Sequence, residues 1–143
     1  MNDKIGKMGS AWVWLFALGA VLFGMGSGYV TAGMSAKISS GVYFGVFIVS
    51  GFAAMALTQA KAWLGIAAFL LAALVSAAGY YWIAAQAVAD ATSALGAAEA
   101  GGTIGAAMGA FVAVVTFLVS ATGGVTGAVA GVRARKQLAA ASA

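Results

Sequence analysis

The chain of 143 residues contains no cysteine, no histidine and no proline, and only 7% of its residues are charged. Without cysteine and histidine it has no disulfide, no zinc finger, no thiolate nucleophile and no imidazole ligand for haem. Without proline its helices lack the commonest cause of a kink, which disfavours the broken helices of many transporters. Because these absences remove most catalytic and ligating groups, we expect no enzyme activity, no metal and no cofactor.

Apolar residues make up 64% of the chain, and its mean hydropathy is +1.04. Soluble domains carry about 25% charged residues, so the low charge here predicts an integral membrane protein. The length allows one domain, and we expect residues 1–143 to form a single transmembrane domain.

Four apolar segments predict an all-α fold, a four-transmembrane-helix antiparallel bundle. A basic start followed by an apolar segment is also typical of signal peptides. The first apolar segment is long for a signal peptide, and together with the Met1 start this favours an uncleaved helix. The stretch 84–100 either prolongs the third helix or forms a separate interfacial helix, turning at Gly96 or Gly101. The predicted helices span about residues 11–34, 41–57, 62–89 and 101–131.

Charged and aromatic residues predict how the four spans are oriented. With four spans, six of the seven basic residues fall on one side, and Lys37 falls opposite together with Asp90 and Glu99. The positive-inside rule then places both termini in the cytoplasm, and we expect the bacterial inner membrane. Aromatic rings form two belts, as they do at both membrane interfaces. One belt is Trp12, Trp14 and Trp63, and the other is Tyr29, Tyr43, Tyr80, Tyr81 and Trp82.

Glycine patterns are the strongest signal in the sequence. The uncharged stretch 101–131 carries two runs of glycine at four-residue spacing, which Ser120 and other small residues join into one stripe. Such stripes let helix backbones approach closely in membranes. Within that stretch, Gly123-Gly124 is the expected weak point. The residues predicted to pack helices are Gly19, Gly26, Gly33, Gly65, Gly79, Gly101, Gly105, Gly109, Ser120, Gly123, Gly127 and Gly131.

Few other residues suggest chemistry. No charge lies in the middle of a predicted span, whereas the ring subunits of rotary ATPases and the small multidrug exporters need a carboxylate there. Hydroxyl groups at Ser76, Thr116 and Ser120 either line a narrow path or bond to helix backbone, which is the commoner role. Asp90 and Glu99 are expected in a solvated outer loop.

These features predict a non-catalytic membrane protein, an accessory or structural subunit that packs by glycine-rich faces. Its expected partners are the lipid bilayer and other membrane subunits or copies of itself, and no nucleic acid. The first alternative is a small oligomeric channel or transporter for an ion or small solute. A second alternative is a holin-like protein that assembles into membrane lesions.

Overall fold

A computed structural model of the chain describes residues 9–30 and 36–142. Within these ranges the regular structure consists of four helices, so the all-helical part of the predicted fold class is confirmed. The helices are α1 (Ala11–Val30), α2 (Ala36–Leu57), α3 (Ala62–Ala94) and α4 (Ala98–Ala141).

Three stretches of the described helices are long and apolar enough to cross a membrane: Ile38–Leu57, Ala62–Ala94 and Glu99–Ala141. The described part of the first helix contains a shorter apolar stretch, Ala11–Ser27. The end of the predicted first segment, including Gly33, falls in 31–35 and lies outside the described residues. Membrane-spanning helices are therefore supported for α2, α3 and α4.

Helix boundaries differ from the predicted ones mainly because helices continue where the sequence suggested connectors. The α2 helix begins at Ala36 rather than residue 41, since no proline or left-handed glycine interrupts that stretch. The α3 helix extends to Ala94, so the first part of the stretch 84–100 continues the third helix and does not form a separate interfacial helix. The chain then turns at Gly96, whose φ of +74° is a conformation that glycine adopts without steric cost.

The longest helix, α4, has 44 residues and would extend about 66 Å. It passes through Gly123-Gly124 without a break, although these glycines were the expected weak point. It also continues past Arg133, because the residues that follow are good helix formers.

The α4 helix packs against both α3 and α2, whereas α2 and α3 contact each other little. Only four residues separate α2 from α3, and a turn this short predicts that the two helices are direct antiparallel neighbours. Instead, α4 lies along both helices. The α1 helix packs on α2 and α3, and its described part does not contact α4.

Large buried side chains fill the space between these helices. Phe47 and Phe69 are completely buried, as are Met55 and Val13. The Tyr43 ring packs 5.1 Å from the Phe47 ring, centroid to centroid. Because these helices are apolar enough to cross a membrane, the contacts between their side chains stabilise the packing mainly by van der Waals attraction.

Candidate functional site

A cluster of hydroxyl groups lies where α2, α3 and α4 meet. Tyr43 of α2 is 6% exposed, and Ser76 of α3 and Ser120 of α4 are fully buried. The ring of Tyr80 stands edge-on to Tyr43, with the two centroids 5.8 Å apart. Tyr43 was expected in the outer aromatic belt. The structure places its ring against Gly24 of α1, Tyr80 of α3 and Ser120 of α4. Its depth in the membrane, and with it its place in the outer belt, stays a prediction.

Ser120 connects the cluster to the backbone of its own helix. Its hydroxyl donates to the carbonyl oxygen of Thr116, one turn earlier. Its oxygen also lies 3.3 Å from the hydroxyl oxygen of Tyr43. A serine hydroxyl has one proton, so when that proton is on the Thr116 carbonyl, Tyr43 is the donor in the second bond. Ser120 was predicted to pack helices, and here it also bonds across them.

Ser76 contributes a third hydroxyl from α3. Its oxygen is buried without a hydrogen bond in the described part of the chain. The Tyr43 hydroxyl lies near this side chain but makes no hydrogen bond with it. A buried hydroxyl without a partner is unfavourable, so Ser76 has an unfilled bonding capacity next to the Tyr43 hydroxyl.

A cavity of about 210 Å³ opens beside the cluster. It is smaller than the pockets that hold whole drug-sized molecules, which have volumes of about 300–1,000 Å³. Hydroxyl groups supply its polar wall, and none of the described residues that line it is charged. The lining residues are Ser39, Ser40, Tyr43, Tyr80, Phe111, Val112, Val115, Thr116 and Val119.

The chemistry available here is hydrogen bonding by neutral groups. Among the described residues, no group of three histidine, cysteine or carboxylate side chains is placed to hold a metal ion. Asp90 and Glu99 are exposed and lie near the α3–α4 turn, away from the hydroxyl cluster. Glu99 is in the first turn of α4, where a negative charge is favourable beside the helix dipole.

The glycines of α4 face two different helices in succession. A Cβ added at Gly105 or Gly109 would lie 2.9 or 2.8 Å from a carbonyl oxygen of α3. A Cβ at Gly123 or Gly131 would lie 3.1 or 2.5 Å from a carbonyl oxygen of α2. Because these neighbours are backbone atoms, no side-chain rotation relieves the contact. The other two predicted glycines of α4 are also closely packed. A Cβ at Gly101 would meet the Thr92 side chain, and a Cβ at Gly127 would meet the carbonyl group of Ile48.

In α3, the predicted packing glycines lie against methionine side chains. A Cβ at Gly65 would meet the sulfur of Met55, and one at Gly79 would lie 3.0 Å from the Cε of Met25. Methionine is flexible, so these contacts are softer than those of α4.

The predicted packing glycines of α1 are placed differently. An added Cβ at Gly19 or Gly26 would have no described atom within 4 Å. Gly24 of α1 does pack closely, because an added Cβ there would lie 2.8 Å from the Tyr43 ring. The role of Gly19 and Gly26 in packing therefore stays a prediction.

Two close contacts had no clear signal in the sequence. A Cβ at Gly51 would lie 2.5 Å from the carbonyl oxygen of Gly124, and one at Gly124 would lie 2.8 Å from the Cβ of Phe69. Gly51 is an isolated glycine, and Gly124 falls outside the four-residue spacing. Only the tertiary arrangement identifies them.

Arg135 fastens the α2–α3 turn to α4. Its guanidinium donates to the carbonyl oxygens of Thr58 and Ala60, with both nitrogens 3.2 Å from the Ala60 oxygen. Thr58 in turn donates its hydroxyl to the Ala54 carbonyl at 2.6 Å. From sequence, Arg135 served only to predict topology. Its contacts give it a structural role as well.

Comparisons with protein-family models, curated proteins and solved structures give no match for this chain.

Proposed function

We propose that this protein is a small, non-catalytic subunit of a membrane assembly, formed with other proteins or with copies of itself. In this proposal four helices cross the bacterial inner membrane, with both termini in the cytoplasm. The Arg135 contacts support the arrangement, because they bring the basic end of α4 to the turn that contains Lys61. Positive charge on one side is the usual mark of the cytoplasmic face.

The observation that carries the proposal is the open glycines of α1 and α2. Glycine within a helix costs about 1 kcal/mol relative to alanine. In α4 this cost is offset by close backbone packing. An added Cβ at Gly19, Gly26, Gly41 or Gly45 would meet no described atom within 4 Å. A helix from another subunit would give these glycines the same use that the glycines of α4 already have.

The groove beside Gly19 is consistent with such a partner. It has a volume of about 360 Å³ and lies between α1 and α2. Its walls are almost entirely apolar, as expected for a contact inside a membrane. The lining residues are Trp12, Leu15, Phe16, Gly19, Phe23, Val49, Ser50 and Ala53.

Photo-cross-linking in native membranes tests this proposal. A photoreactive phenylalanine analogue at Phe23, which is 74% exposed and lines the groove, should form a protein adduct. The same analogue at Phe111, 66% exposed on α4, is the matched control and should react mainly with lipid. Adding Gly19→Leu should abolish the Phe23 adduct by filling the groove. Equal yields of protein adduct at the two positions would contradict the proposal.

The hydroxyl cluster favours a second candidate, a small oligomeric transporter or channel. Thr116 lines the cavity, while Ser76 and Ser120 are buried behind Tyr43. A solute with hydrogen-bonding groups would find neutral partners along this route. Flux through vesicles that contain only this protein would support the candidate, provided that Ser76→Val and Thr116→Val reduce it. Impermeable vesicles would exclude it.

A further inference from the structure

A second groove lies between the start of α3 and residues 128–136 of α4, at the opposite end of these helices from the hydroxyl cavity. It has a volume of about 200 Å³. Arg133 and Lys136 supply positive charge on one side of it. Ile66, Val129 and Val132 supply an apolar wall, and Ala62 lies at its α3 end.

The two cations lie close together and have no carboxylate partner among the described residues. They are separated by three residues on α4, which puts their Cβ atoms about 5–6 Å apart. In the part of the chain that the structure describes, the only carboxylates on side chains are Asp90 and Glu99, beside the α3–α4 turn at the far end of both helices. Both cations are exposed. The pair is therefore available to an external anion.

The start of α3 adds to the positive potential in the same groove. Its first residue, Ala62, lines the groove, and no side chain caps this helix end. The amides at a helix start carry partial positive charge. The exposed Trp63 follows directly, and tryptophan prefers the depth of the lipid head groups. The positive charge, the apolar wall and the head-group depth of the groove thus suit a ligand with an anionic head and an apolar tail.

We infer that this groove binds an anionic phospholipid. The phosphate lies against Arg133 and Lys136, and an acyl chain follows Ile66, Val129 and Val132. A basic pocket between helices at the cytoplasmic interface is a typical site for such head groups. The inference depends on the proposed membrane location but not on any partner subunit.

Native mass spectrometry of the full chain in neutral detergent tests the inference. Phosphatidylglycerol should be retained in preference to phosphatidylcholine with the same acyl chains. Arg133→Gln should weaken that retention about fivefold, which corresponds to about 1 kcal/mol per basic residue near an anionic lipid. Lys37→Gln is the charge-matched control at the start of α2, and it should leave retention unchanged. Equal retention of the two lipids, or equal effects of the two variants, would overturn the inference.

Two further arms separate the lipid from free phosphate and from a loss of folding. Inorganic phosphate alone should bind far more weakly than phosphatidylglycerol, and binding of equal strength would overturn the lipid assignment. Val129→Trp should reduce lipid retention, because the larger side chain fills the apolar part of the groove while every charge is kept. The same spectra report the number of protein chains, so the outcome for the lipid is independent of the outcome for the proposed assembly.

Discussion

At the scale of single residues, the surroundings of each glycine decide its importance. Gly127 and Gly102 both belong to α4 and both look like parts of a glycine-rich stretch. A Cβ at Gly127 would meet the backbone carbonyl of Ile48, whereas a Cβ at Gly102 would meet no described atom within 4 Å. The sequence predicted the four-residue spacing that includes Gly127, but it did not identify the atoms on the other side.

Gly127→Ala should therefore destabilise the protein by about 1–3 kcal/mol, the range for overpacking a well-packed contact. Gly102→Ala is the control on the same helix, and it should be neutral or stabilising by up to about 1 kcal/mol. Thermal unfolding in detergent, followed by circular dichroism, measures both. Similar changes at the two positions would mean that α4 and α2 do not approach as closely as described.

The hydroxyl cluster gives a second prediction at this scale. In a double-mutant cycle, Tyr43→Phe and Ser120→Ala should show a coupling of about 0.6 kcal/mol, the average for hydrogen bonds between membrane helices. Unfolding measurements on the four proteins of the cycle give the coupling. A coupling of zero would show that the Tyr43–Ser120 bond contributes nothing to stability.

Ser76→Ala should be neutral or stabilising, because it removes a buried hydroxyl that has no hydrogen bond in the described chain.

At the scale of helices, the sequence predicted elements better than neighbours. The start of α3 at Ala62 and the end of α2 at Leu57 agree with the predicted bounds. Which helices pack against each other could not be predicted in the same way. A short turn joins α2 to α3, but it does not prevent α4 from packing between them. The glycines of α4 let it take that position, and local periodicity does not show which partner each glycine meets.

Arg135 links these elements, and its loss should loosen the α2–α3 turn. Arg135→Gln should lower stability by about 1.5–3 kcal/mol, the range for hydrogen bonds to a charged group. Arg135→Lys keeps the charge but loses the two-nitrogen contact, so its effect should be intermediate. Lys61→Gln makes the same charge change in the turn itself and serves as the control. Amide hydrogen exchange should increase at residues 58–61 only in the Arg135 variants, and unchanged exchange there would contradict this role.

At the scale of the whole molecule, composition was enough to predict helices that suit a membrane. The lack of charge over long stretches leaves few other environments for them. The hydroxyl cluster was only partly predictable. Ser76 and Ser120 were recognised as polar residues within spans, but nothing in the local sequence around Tyr43 indicates that its ring packs between helices.

The absence of cysteine allows a clean test of the proposed orientation. Single cysteines in place of the exposed Ser10, Ser93 or Ser142 can be labelled from either side of the membrane. We expect Ser10→Cys and Ser142→Cys to react only from the cytoplasmic side. Ser93→Cys, close to the α3–α4 turn, should react only from the opposite side. Labelling of all three positions from one side would contradict four crossings.

The central claim is that this protein works as part of an assembly, and its native mass tests that most directly. After gentle extraction from its own membrane, we expect a complex that contains further chains and whose mass well exceeds the 14.0 kDa of one chain. Gly19→Leu should shift the protein towards the single-chain mass. A wild-type protein that is stable at 14.0 kDa, with no other chain bound, would contradict a role as a subunit.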